Sequence, residues 1–163
     1  MNISVKNVDE TAFRKLKATA AELNRPVGAV LTDAINAWVD KNRGILAGIE
    51  EIVQKAKTDK NIVAIILFGS YAREEVNFRD IDIALLLRND EHDYIKKAAE
   101  YWISDMFDIS ILNKLPVNTA SRVLEEGKVL YVADPAELQR FSLKVVKEWA
   151  DFKPLYSKMI SAI

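Results

Sequence analysis

With 163 residues, half of them apolar and 29% charged, the chain has the composition of a folded protein rather than a disordered tail, and its length suits one ordinary domain or two small ones. A net charge of −1 excludes a polyanion binder that is basic all over, although residues 1–43 carry seven Lys/Arg against five Asp/Glu, enough for a small local anion contact. The absence of cysteine excludes disulfides and thiolate metal sites, and the longest apolar run, Ile62 to Phe68, is too short to span a bilayer, so a cytoplasmic protein with no membrane partner is expected.

Ile3 and Val5 alternate with Asn2, Ser4 and Lys6, the two-residue period of a strand with one apolar face. After Asp9 and Glu10 the period changes, and Phe13, Leu16, Ala20 and Leu23 recur at helical steps. Asn24-Arg25-Pro26 interrupts the pattern. A second helical stripe, Val27, Val30, Leu31, Ala34, Ile35, Trp38 and Val39, fades between Lys41 and Gly44. We place a domain boundary there, giving segments 1–43 and 44–163, although nothing at Gly44 forbids a nearly continuous helix.

A strand and two helices of this size cannot bury such stripes alone. A homodimer formed through the N-terminal segment would cover them, with paired antiparallel strands presenting Asn2, Ser4 and Lys6 to a major groove. The stretch ISVKNVDETAFRKLKATAAELNRPVGAVLTDAINAWVD resembles the ribbon-helix-helix (Arc/MetJ-type) family over nearly its whole length. The resemblance implies operator DNA as a partner, with Asn2, Ser4 and Lys6 on the bases and backbone amides near Val27 and Gly28 on a phosphate. Pro26 stands where that family commonly has a Ser or Thr cap. The alternative reading is a module that only dimerises.

Beyond Gly44 the pattern predicts a helix from Ile45 to Lys57, a strand at Ile62 to Phe68, a turn and short helix at Gly69 to Glu75, and a strand at Asp80 to Leu87. A helix near Asp93 to Ser104 and a strand at Asp108 to Leu112 follow; the last third is mostly helical, with a strand at Val129 to Val132 and helices at Pro135 to Ala150 and Leu155 to Ile163. This is an α+β fold, a short mixed sheet flanked by helices. The only histidine, His92, lies in the polar stretch RNDEHDY and reads as a solvated loop residue, while Trp38, Trp102 and Trp149 fall in apolar patterns that place them in the core.

The residue types that carry chemistry cluster after the first of these strands. Gly69-Ser70 at its end lets backbone and hydroxyl donors approach phosphates closely, and strand alternation puts Asp80 and Asp82 on one face, where a hard divalent cation can bind. Asp108 opens a third apolar strand and is the natural further ligand and proton acceptor, and Arg73 offers a bidentate phosphate donor.

The stretch LFGSYAREEVNFRDIDIALLL, with the later FDIS, resembles the minimal nucleotidyltransferase (MNT) group of the polymerase-beta-like superfamily. The resemblance implies Gly69 and Ser70 at the triphosphate, Asp80 and Asp82 on Mg2+, and Asp108 as third ligand and base. Glu74 departs from the pattern where a Gly is frequent, Arg79 replaces a usual Ser, and the spacing from Ser70 to Asp80 is one residue short; Glu74 either repels the triphosphate or points to solvent. The tail EGKVLYVAD...KEWADFKPLY is similar to MNT proteins of toxin-antitoxin modules, which implies transfer of AMP from ATP to a HEPN toxin. Two alternatives stay open: a DNA-binding regulator or antitoxin whose transferase domain binds nucleotide without turnover, and a transferase acting on a small molecule.

Overall fold

The computed structural model describes residues 8–75, 78–88 and 93–160. The expected opening strand with Asn2, Ser4 and Lys6, and His92, lie outside the described residues. The chain divides into two compact units, residues 1–46 and 47–163.

In the first unit, helix α1 (Glu10–Glu22) starts at Asp9, whose carboxylate accepts a hydrogen bond from the Ala12 N–H at 2.8 Å. It stops where Asn24 turns left-handed (φ 50°), a conformation asparagine tolerates better than most residues. The Asn24 and Arg25 amides donate back to Ala21 and Ala20, satisfying the last carbonyls. The carbonyl of Pro26 accepts from the amides of Ala29 and Val30 at the start of helix α2 (Val27–Thr58), and Arg25 pairs with Asp33 at 2.6 Å across the turn. Val27 and Gly28 occupy the first turn of α2, and nothing stands within 4 Å of a Cβ built on Gly28.

Helix α2 continues through Gly44 for 32 residues rather than breaking there. An interior glycine costs a helix about 1 kcal/mol, which burial of Ile45, Ile52 and Ala56 along the same helix outweighs. Among the described residues of the first unit only Ala20, Val30 and Ile45 are buried, while Phe13, Leu31, Ile35 and Trp38 are exposed.

The second unit is built on a four-stranded mixed sheet of β1 (Ile62–Phe68), β2 (Ile81–Leu87), β3 (Phe107–Ile111) and β4 (Lys128–Val132), in the order β3-β2-β1-β4. The central strand β1 runs antiparallel to both β2 and β4, and β2 runs parallel to β3. Ile62 to Leu67 are all buried, as a continuous apolar run predicts for a strand covered on both faces. Helices α5 (Val117–Glu126) and α6 (Pro135–Ile160) cover one face: Ala64, Ile66, Ala84 and Leu86 form a core with Ala120, Val123 and Val145.

Short helices make the remaining connections, α3 (Gly69–Ala72) between β1 and β2 and α4 (Tyr94–Glu100) between β2 and β3. Helix α4 ends well before Ser104 because buried Tyr101 turns inward, where its hydroxyl donates to Asp59 at 3.1 Å beside a 2.6 Å ion pair from Lys97. Burial opposes the charge on Asp59, but the bonds from Lys97, the Asn61 amide and Tyr101 together hold its carboxyl below the usual carboxylate range. This network fastens α4 to the entry of β1 and so fixes where β3 begins. Gly48 admits the ring of Phe107, the first residue of β3, so closely that a Cβ there would stand 2.4 Å from it.

Two further expectations are revised. The C-terminal helices are one helix, α6, which passes through Pro154; that residue is exposed, so water can satisfy the carbonyl left without an N–H. Trp38 and Trp102 are not core residues but 66% and 57% exposed, because the faces that carry them are not covered within the described residues.

Candidate active site

Strand β1 ends at Phe68 and the chain turns at once into α3, with Gly69 at φ +74°. Phe68 pairs with Asp82 across the β1–β2 ladder, and a Cβ on Gly69 would stand 1.9 Å from the Asp82 carboxylate. Glycine is therefore required twice, by the left-handed backbone and by the carboxylate pressed against it. Ser70 follows at the same corner.

Register brings the distant carboxylate into place. Asp108 is the direct partner of Asp82 across the parallel β2–β3 ladder, and Asp80 immediately precedes β2. Asp82 is half-buried while Asp80 and Asp108 are exposed. Burial raises the Asp82 carboxyl above its ordinary value, and the negative charges of Asp80 and Asp108 push it further, with Arg73 only partly offsetting them. A carboxylate destabilised by two like neighbours gains from either a proton or a cation.

The donor set suits Mg2+, since all three groups are hard oxygen ligands. As the side chains stand, no three acidic, His or Cys groups among the described residues converge closely enough to hold one ion. Asp80, Asp82 and Asp108 are the carboxylates at this corner that could bind a cation. Two hollows open beside them. Asp82 lines a cavity of about 290 Å³ with Gly69, Ser70, Arg73 and residues of α5, and Asp80 and Asp108 line one of about 510 Å³ with Trp102 and Asp105.

Arg73 borders the smaller cavity but is engaged: its guanidinium donates to Glu75 at 2.8 Å and to Glu126 at 3.2 Å, and the Glu75 bond first of all holds its proton more tightly than usual. Glu74, the departure from the expected Gly, adopts φ +61°. A left-handed residue here explains the preference for glycine in the motif. Its carboxylate accepts from Lys128 at 2.7 Å, a bond that lowers its pKa, and it is not among the residues lining either hollow. Thr119 and Arg122 also line the smaller cavity and escaped the sequence reading. Their spacing shows only that they share a helix face with Glu126, and which strand end that face meets is a tertiary fact.

The family model "Polymerase beta, Nucleotidyltransferase" matches residues 50–136, from the second half of α2 to the start of α6. The chain belongs to this nucleotidyltransferase family. Similar folds occur in a crystal structure of a toxin-antitoxin with AMP-PNP (TM-score 0.53, 20% identity, 71% of this chain and 95% of that one). They occur also in the MntA-HepT toxin-antitoxin (0.55, 17%, 72% and 97%) and in a tri-AMPylated Shewanella oneidensis HEPN toxin in complex with MNT antitoxin (0.51, 19%, 77% and 96%). No curated protein matches the chain significantly. Among the described residues no helix is long and apolar enough to cross a membrane.

Proposed function

We propose that the protein is an antitoxin that transfers AMP from Mg-ATP to a tyrosine of a partner HEPN toxin, and that its N-terminal unit dimerises and binds operator DNA in the cytoplasm. The observation that carries the enzymatic part is Asp82, half-buried against the Gly69 corner with Asp80 and Asp108 charging it from either side. Structural relatives that include a HEPN toxin bearing AMP groups support the choice of acceptor.

Bound Mg2+ would neutralise charge on the triphosphate and the departing pyrophosphate. Asp80, Asp82 and Asp108 would hold it, and the Gly69 amide and Ser70 hydroxyl would donate to phosphate oxygens. Asp108 accepts the proton of the tyrosine hydroxyl as the new oxygen–phosphorus bond forms to the α-phosphate and the bond to pyrophosphate breaks. The test is incubation with α-labelled ATP, magnesium and the HEPN protein encoded by a neighbouring gene. We expect label on that protein with wild type and at least a 100-fold loss, roughly, with Asp80→Asn; equal labelling by both, or none by either, refutes the enzymatic claim.

A regulator that binds nucleotide without turnover is favoured by one observation, the engagement of Arg73 by Glu75 and Glu126. Calorimetric binding of ATP with no pyrophosphate release would select it. The DNA reading rests on the basic, alternating N-terminus and the unburied helical stripe of the first unit. Lys6→Ala should weaken operator binding and lower the salt slope by about 1; unchanged binding in a gel-shift titration counts against the ribbon.

A further inference from the structure

The smaller cavity beside Gly69 is bordered by two guanidiniums that no motif pairs with one another. Arg73 comes from the end of α3 and Arg122 from the middle of α5, and both line the same hollow as Ser70 and Asp82. A single carboxylate bridges them. One oxygen of Glu126 accepts from Arg73 Nη1 at 3.2 Å, and its other oxygen lies 3.8 Å from Arg122 Nε. Two planar cations that share one anion, each through a different oxygen, present the fork geometry that also receives a phosphate group.

We propose that Arg122 joins Arg73 in a clamp for the polyphosphate of the nucleotide, and that Glu126 is a built-in competing anion which the polyphosphate must displace. The inference rests on the nucleotide-binding reading of this site and adds a binding residue and a tuning residue to it. The chemistry favours exchange. All the bridging groups are substantially exposed, with Arg73 at 37%, Glu126 at 40% and Arg122 at 66%, so the internal pairs are weak and easily broken. A polyphosphate brings several charges where Glu126 brings one, and it also reaches the Gly69-Ser70 corner that Glu126 does not touch. Glu126 is the last residue of α5 and already 40% exposed, so solvent is at hand for a displaced carboxylate. Ligands too weakly charged to displace the carboxylate are refused, which makes Glu126 a determinant of both affinity and selectivity.

The test is calorimetry on the full chain with two probes, inorganic tripolyphosphate and Mg-ATP. Glu126→Gln should tighten both by about three- to tenfold, and Arg122→Gln should weaken both by a similar factor. Glu125→Gln removes the same charge from the adjacent position of α5 and should change neither by more than about twofold. Wild type binding Mg-ATP with Glu126→Gln no tighter overturns the clamp and leaves the nucleotide reading intact. Equal tightening by Glu125→Gln assigns the effect to net charge and also overturns it. Absence of Mg-ATP binding by wild type and by Glu126→Gln alike refutes the nucleotide reading itself, and the clamp with it.

Discussion

The two units of the chain solve the problem of burial in opposite ways. The transferase unit encloses two full strands, with Ile62 to Leu67 and Ile83 to Leu87 all buried, and tolerates polar groups only at strand ends. The first unit buries three described residues and leaves Phe13, Leu31, Ile35 and Trp38 in solvent. A sheet that is covered on both faces is self-sufficient and can seat a half-buried carboxylate at a strand end, whereas a helical pair with exposed stripes is completed only by another surface.

That contrast can be broken in the transferase unit most severely at its corner. Gly69→Val should cost roughly 1–3 kcal/mol in a urea titration through its left-handed backbone, and should also abolish nucleotide binding by driving Asp82 out of place. Retained ATP affinity in calorimetry would mean that the corner is not where phosphate approaches. In the first unit the equivalent blow is to assembly. If the first unit forms the proposed homodimer, Ile35→Asp should shift it toward monomer in sedimentation, with dissociation strengthened at least about tenfold, while transferase activity persists. Loss of activity in parallel would show that the units are not independent.

Asp82→Asn sharpens the comparison by separating stability from function. The folded protein holds the Asp82 proton more tightly than the ordinary value of 3.8, so the stability from that protonated group is full below about pH 3.8 and is lost as pH rises through the raised folded value. Asparagine cannot ionise. The variant should therefore melt higher than wild type at neutral pH, with the gap closing in acid, even as the proposed transferase activity disappears. Thermal melts at both pH values check this; a variant less stable at neutrality would show that the three carboxylates do not repel as placed.

Much of this was legible without coordinates. The run from Ile62 to Phe68 announced a central strand because no exposed surface tolerates seven apolar residues in succession. The Gly69-Ser70 pair and the spacing of Asp80 and Asp82 marked the corner at which the structure presses Gly69 against Asp82. The helix boundaries were less legible, because a glycine at position 44 and a proline at position 154 raise the cost of a continuing helix without forbidding it, and both helices continue. Trp38 and Trp102 misled for a related reason: apolar periodicity marks a face that wants cover and does not say whether the same chain supplies it.

The sequence by itself determined the order of the four strands, the identity of the acidic and glycine residues, and the family, since these depend on local pattern and spacing. Tertiary structure alone decided that Asp108 stands opposite Asp82, that Glu74 turns to Lys128, and that Arg73 and Arg122 meet at Glu126. Strand register and helix docking set those meetings, and both are fixed by the packing of residues remote from one another in the chain.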